Sequence, residues 1–414
     1  MQFESTLEYA EHLDNQDPLY TLKDKFHFPS SNPIYFCGHS LGLQPIQTYY
    51  YVKDELDAWE KLGVEGHLHG KSPWLDYHSY LANHMSKIVG ANTSEVVVMN
   101  SLTTNLHLLM ISFFKPTKQK FKIIIDTPSF PSDKYAVQSQ LKLHGLNPLE
   151  DLIEVSTLKN NKCISNEDML NQIESNIDNV AMMLISGVNY YTGQYYDLKS
   201  ISDLAKKYNC IIGLDLAHAA GNVELELHNW DIDFAAWCGY KYLNGGPGAP
   251  SGVFVNEKYH SSNLNRLEGW WGHDKQTRFN PPNLFNPIKG AEAWQLSNPP
   301  ILSMAALRSS IELFDSIGMS ALRKRSRQLT SYMESMISSI INNNIQIITP
   351  LNSDDRGSQL SLAIDSNEEN IESFLKNKNI ICDYRKPNVI RAAPCAFYNN
   401  HKDIYNFVQV LKEL

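Results

Sequence analysis

The chain has 414 residues, 43% hydrophobic and 20% charged, a balance that excludes a disordered or collagen-like protein and predicts two or three domains. Thirty-six basic against forty-five acidic residues leave a net charge of −9. With no dense Lys/Arg run, that charge argues against nucleic acid as a partner. The polar, acidic N-terminal stretch does not read as a signal peptide, and no apolar run approaches the length that spans a bilayer. Six scattered cysteines without a C-x-x-C pair read as free thiols of a reducing compartment. The expectation is a cytoplasmic protein with no membrane partner.

Residues 1–60 are expected to form an N-terminal segment that contributes to a smaller domain and to the active site. Residues 61–300 carry short apolar runs at 96–99, 122–125, 182–186, 211–215, 234–237 and 253–255, most without polar alternation, as in strands covered on both faces. Amphipathic segments at 102–114, 134–144, 167–176 and 198–208 predict helices between them. The alternation predicts an α/β fold whose large domain holds a mostly parallel sheet. Ser297-Asn298-Pro299-Pro300 then punctuates the chain. A long helix is predicted from about 303 to 342, broken near Gly318, followed by strands at 345–349, 359–364, 380–384 and 389–392. With a helix near 370–376 and a last one toward 414, these predict a smaller α/β C-terminal domain over 301–414.

Four loops after predicted strands carry chemistry. The strand at 211–215 ends in Asp215, and His218 follows three residues later. Taken alone, an Asp there reads more readily as a loop-starting or helix-capping residue. Lys241 follows another strand, among aromatics and beside the flexible run 244–248, where a lysine can act as a nucleophilic amine that forms a Schiff base. Ser101, Leu102 and Thr103 open a hydroxyl-rich helix start that can cup a phosphate. Phe130, in 127–133, offers a ring face at the sheet edge. An amine, a carboxylate, an aromatic face and an anion cup together meet the needs of pyridoxal 5'-phosphate. Loops at the carboxyl ends of one parallel sheet can deliver all four.

On these and further motifs the chain resembles the kynureninases, of the fold-type I, aspartate-aminotransferase-like pyridoxal phosphate enzymes. The motifs are 36–45, Gly66-His67, 100–107, 130–133, 191–194, 215–218, 239–244, 269–273, 297–300 and 389–394, which together run almost end to end. The resemblance implies hydrolytic cleavage of L-kynurenine to anthranilate and L-alanine, in tryptophan degradation or NAD precursor synthesis, and leaves open whether 3-hydroxykynurenine is cleaved as well. It implies that Lys241 binds the cofactor covalently, Asp215 holds the pyridine nitrogen, and His218 lies at the phenolic oxygen edge. Phe130 would stack on the ring, and Leu102, Thr103, Asp133, Ser186 and Tyr240 would complete the pocket. Trp270 and Asn298 would come from the second subunit of a homodimer with shared sites. Arg391 would clamp the substrate α-carboxylate, and Ser40, His67 and Asn298 would line its aryl end. Tyr240 is also expected to be the acid that protonates the β-carbon. One departure is Gly38-His39-Ser40, where the family usually has Gly-Asn-Ser.

A cysteine desulfurase or an aminotransferase is the nearest rival. Desulfurases usually place His where Tyr240 stands, and they need a nucleophilic Cys on a mobile loop. A non-catalytic binding protein of the same fold would be expected to lack Lys241 or Arg391, and both are present. His67-x-His69, with His78 and His84, lacks the carboxylate or cysteine that would complete a metal set, so no metal is expected. The glycine-rich stretch 244–252 has neither nucleotide-loop pattern.

Overall fold

A computed structural model describes residues 3–29, 31–157, 162–280, 283–340, 344–365 and 370–414. Its larger sheet contains β1 (Val96–Met99), β2 (Lys122–Asp126), β3 (Leu152–Val155), β4 (Val180–Ser186), β5 (Ile211–Asp215), β6 (Phe234–Trp237) and β7 (Ser251–Val255). Their order across the sheet is β1-β7-β6-β5-β4-β2-β3. From β6 through to β3 every pair is parallel, whereas β7 runs antiparallel to both β6 and β1. The expected mostly parallel sheet is thus present, with one reversed strand. Residues 238–250 between β6 and β7 form no helix, and a parallel return needs a crossover that is usually helical.

Alternate side chains along each strand enter two different cores. Met182 and Leu184 face one with Val97, Phe234 and Val253, while Met183 and Ile185 face the other with Val98, Leu214 and Trp237. This is why the strands read as unbroken apolar runs. Helices α1 (Leu102–Phe113) and α2 (Pro131–Leu143) cover the first face through Leu106, Leu109, Val137 and Leu141. Helix α3 (Leu198–Lys207), started by an Asp197 cap on Ser200 N, covers the second through Leu198, Ile201 and Ala205.

The predicted long helix is two: α4 (Ile301–Ile317) and α5 (Met319–Ile340), interrupted at Gly318 as expected. Helix α4 buries Met304, Ala305, Leu307, Ile311 and Phe314 in the larger core. As a packing unit it therefore sides with the large sheet, although it follows the Pro299-Pro300 punctuation. The last predicted positions, 341 and 342, lie outside the described residues.

A second core gathers around a four-stranded antiparallel sheet of β8 (Ile345–Ile347), β9 (Leu360–Ile364), β10 (Asp383–Arg385) and β11 (Val389–Ala392), in the order β8-β9-β11-β10. Ala10 and Phe36 from the N-terminal segment bury themselves here beside Leu329, Met333 and Phe407. The single strand predicted at 380–384 is divided. Ile380–Ile381 pairs with Ile34–Tyr35, and only Asp383–Arg385 joins the small sheet.

Candidate active site

Register sets the floor of the site. Ser186 and Asp215 are paired at the ends of β4 and β5, so both stand at the carboxyl edge of the sheet. Asp215 Oδ1 accepts Ala217 N at 2.8 Å, which turns the chain toward His218. Helices α1 and α2 begin beside them, and neither Ser101 nor Phe130 spends its side chain on capping the helix it precedes. Thr103 Oγ1 and Ser132 Oγ meet at 2.8 Å and tie the two helix starts together. Two adjacent N-termini without side-chain caps suit an anion.

Lys241 arrives on the turn after β6, closed by Asn244 N donating to Lys241 O at 2.9 Å and Gly245 N to Gly239 O at 2.9 Å. The N-terminal segment docks on this turn, where Gly42 N donates to Tyr240 O at 2.9 Å. A Cβ on Gly42 would stand 2.5 Å from Lys241 O, so only glycine permits that approach. Lys241 is buried, 9% exposed as a residue, and its amine lies 3.1 Å from His218 Nε2 and 5.6 Å from the Phe130 ring centre.

These pieces enclose a cavity of about 640 Å³ including its open mouth, lined by Leu102, Thr103, Phe130, Asp133, Ser186, Asp215, His218, Tyr240 and Lys241. Ser101, Ser132, Val188, Tyr190 and Ala217 complete the wall. Burial, and then the cations Lys241, Arg391 and Arg385 with His39, hold the His218 imidazole neutral. Burial and then the neighbouring Asp215 charge push the Asp133 carboxyl well above the usual range. Asp133 Oδ1 and His218 Nδ1 are buried with no hydrogen-bond partner. Burial, with Cys238 adding, raises the Tyr240 phenol to about 12.

The remaining predicted residues lie elsewhere on the chain. Trp270, Asn298 and His67 line a separate groove of about 590 Å³ with Val64, Leu68 and Phe279. His67 packs edge-on against Trp74, with ring centres 5.3 Å apart. Ser40 is exposed and donates its N–H to Cys37 O at 2.8 Å. Arg391, 2% exposed, donates from Nη1 to Tyr190 O at 2.6 Å, and Tyr190 lines the cavity.

The profile of the kynureninase C-terminal domain matches residues 322–411, and that of aminotransferase classes I and II matches residues 64–235. A kynureninase of Myxococcus xanthus is 48% identical, covering 99% of this chain and 97% of its own. One of Flavobacterium psychrophilum is 47% identical over 100% and 99%. The chain belongs to the kynureninase family. Among solved structures, a cystine C–S lyase in complex with cysteine persulfide superposes with a TM-score of 0.79 at 15% identity, over 93% of this chain and 98% of the other. A cysteine desulfurase of Thermococcus onnurineus gives 0.76 at 17% identity, over 97% of each. At such identities the likeness is one of fold, that of the fold-type I enzymes.

The kynureninase-family site includes groups that sequence reasoning missed. Asp126, at the end of β2, accepts Ser186 N at 2.8 Å and Asn189 Nδ2 at 3.1 Å, which fixes the Ser186 wall. Asn189 Oδ1 accepts from Tyr191 N and Thr192 N, and so orients Tyr190. An Asn two residues before a Tyr-Thr-Gly turn was the available signal. All six cysteines are unpaired, and five are buried. Burial raises Cys37 and Cys210 to about 12 and Cys163 to about 11, so none offers a thiolate at neutral pH. His69, His78 and His84 face three different acids, Glu65, Glu292 and Asp315. Among the described residues the ligand-like cluster is Glu95, His228 and Glu257, where Glu95 already accepts two backbone N–H groups.

Proposed function

We propose that this chain is a pyridoxal phosphate-dependent hydrolase of carbon–carbon bonds in ketonic substances, which cleaves the Cβ–Cγ bond of L-kynurenine to give anthranilate and L-alanine. The observation that carries the reading is the Lys241 amine set against a neutral His218, below the Phe130 ring and facing the Asp133–Asp215 acids, in one cavity.

The residues fit the cofactor. Lys241 would supply the amine for its aldehyde, and the Asp215 carboxylate at the cavity floor would hold a cationic ring nitrogen. The partnerless Asp133 Oδ1 and His218 Nδ1 mark polar positions that await a ligand. Leu102 and Thr103 at the α1 start would receive the phosphate, Phe130 the ring face and His218 the phenolic oxygen edge, with Ser186 and Tyr240 completing the pocket. When bound, the cofactor supplies an electron sink for the pair left at Cα after its proton departs.

The chain's own residues carry the remaining work. Arg391 holds the α-carboxylate with the planar fork that lysine lacks. The Lys241 amine takes the proton from Cα as general base. Water adds to the γ-carbonyl, the Cβ–Cγ bond breaks with its electrons on the β-carbon, and the aryl carboxylate departs. The Tyr240 phenol, protonated at neutral pH, gives the β-carbon its proton.

A homodimer completes the site. Trp270, Asn298 and His67 of a second copy would reach the cavity of the first, with Asn298, His67 and Ser40 lining the aryl end. The groove that holds them is edged by Val64, Leu68 and Phe279, which are 75%, 59% and 70% exposed in a single chain; apolar groups so exposed call for a covering surface. The thiol chemistry suits the cytoplasm, and among the described residues no helix is long and apolar enough to cross a membrane. The division into an N-terminal segment over 1–60, a cofactor domain over 61–300 and a C-terminal domain over 301–414 belongs to the same reading.

The test is kcat/KM for L-kynurenine, 3-hydroxykynurenine and L-cysteine on the cofactor-loaded protein. The reading requires anthranilate formation to dominate, with L-kynurenine ahead of its hydroxylated form. Sulfur release from L-cysteine with no anthranilate would overturn it in favour of a desulfurase.

A further inference from the structure

One charge pair near the cofactor cavity has no role yet, that of the buried Arg391 with the half-buried Asp383. The two residues stand directly opposite on β11 and β10, so the sheet register puts their side chains on one face. Arg391 Nη2 contacts the Asp383 carboxylate, Nη1 is spent on Tyr190 O, and the buried Nε has no partner. A planar guanidinium held at two corners by the fold has one orientation left, and three of its five N–H donors, Nε–H among them, remain available to a ligand. Tyr190, the second anchor, lines the cofactor cavity and meets the Phe130 ring edge-on at 5.4 Å.

The surroundings set the charge. Arg385 Nη2 also reaches Asp383, at 3.0 Å. The His39 imidazole, fully buried with neither nitrogen hydrogen-bonded, lies 3.5 Å away. Burial first, and then Arg391, Lys241 and Arg385, keep His39 uncharged, so it does not compete for the carboxylate. Burial lowers the Arg391 guanidinium to about 10, which leaves it cationic at neutral pH. Two guanidinium cations around one carboxylate leave a single positive charge, the complement of one substrate carboxylate.

We propose that Asp383 is the positioning residue of Arg391, fixing its guanidinium for capture of the substrate α-carboxylate. This rests on Arg391 being the carboxylate clamp. The Asp383 side chain does not touch substrate itself; it acts through the orientation of its cross-strand partner.

The experiment uses the cofactor-loaded enzyme and reads KM and kcat for L-kynurenine, with inhibition constants for L-alanine and for L-alaninamide, which lacks the carboxylate. Asp383→Ala is expected to raise KM and the L-alanine constant about tenfold, the scale of one misaligned charge-assisted hydrogen bond. The L-alaninamide constant should stay put and kcat should fall far less. Asp383→Glu should recover part of the loss. In an Arg391→Lys background, Asp383→Ala should add less than about twofold, because the group it positions is gone. Unchanged constants in Asp383→Ala, an equal loss for L-alaninamide, or full additivity with Arg391→Lys would each overturn the proposal. If Asp383→Ala does not fold, Asp383→Asn is measured against the same expectations. Were Arg391→Lys itself without effect on L-alanine binding, the clamp reading would fail. A loss in Arg391→Lys but none in Asp383→Ala would remove only the role of Asp383.

Discussion

In the proposed reaction the neighbours Tyr240 and Lys241 have different tasks, Tyr240 as acid and Lys241 as base. A phenol raised to about 12 by burial and Cys238 remains protonated across the neutral range. Tyr240→Phe should therefore lower kcat on the order of a hundredfold, by the same factor at every pH from about 6 to 9, while cofactor binding persists. Stopped-flow and steady-state pH profiles of the variant check this, and an unchanged kcat removes Tyr240 from proton transfer. At this scale the sequence was legible where a motif carried a role. Asp215, His218, Phe130 and Lys241 all line one cavity. Asp383 was not legible, because only the pairing of β10 with β11 brings it to Arg391. Tyr190 escaped for a similar reason, since its contribution to Arg391 is a backbone carbonyl that residue type does not reveal.

Elements position these residues with little slack. Gly252 on β7 pairs with Trp237 on β6, four residues before Lys241, and a Cβ there would stand 2.1 Å from the fully buried indole. Gly252→Ala should cost about 1–3 kcal/mol as overpacking and displace the Lys241 turn. Thermal unfolding and cofactor affinity should fall together, and a variant of wild-type stability would show that the indole yields freely. Glu292 gives a second test, of the helix Tyr77–Val89 against the loop after Trp271. Burial would raise its carboxyl, but His78 and Lys275, each at 3.0 Å, outweigh that and hold it at about 2 rather than 4.5. A depressed folded value stabilises above the unfolded value, up to about 3 kcal/mol, and that support fades as pH falls from about 4.5 toward 2. Glu292→Gln should thus lower Tm at pH 7, with the gap closing in acid; a gap constant with pH would contradict the linkage. The central strands were readable as apolar runs because both their faces are buried. Edge strand β3, with Leu152 and Ile153 half-buried and Glu154 exposed, carries no such run and was missed. The helices Thr48–Leu62 and Tyr77–Val89 were missed as well, their apolar positions interleaved with many polar ones.

For the whole molecule, the separation of Trp270, Asn298 and His67 from the cofactor cavity in one chain has a direct consequence. If the second copy supplies them, a Lys241→Ala chain and an Asn298→Ala chain, each inactive alone, should form hybrids with one intact site of two. Random mixing should then recover about a quarter of wild-type activity, and no recovery from a demonstrably mixed population would contradict shared sites. This level was legible only through family resemblance, since the residues of a site divided between chains carry no common local pattern.

Product labelling in ¹⁸O-water decides whether water cleaves the Cβ–Cγ bond at the Lys241 site. The expected result is equimolar anthranilate and L-alanine from L-kynurenine, with solvent oxygen in the anthranilate carboxylate, and none of either product from Lys241→Ala. Anthranilate without solvent oxygen, or full turnover by Lys241→Ala, would contradict it.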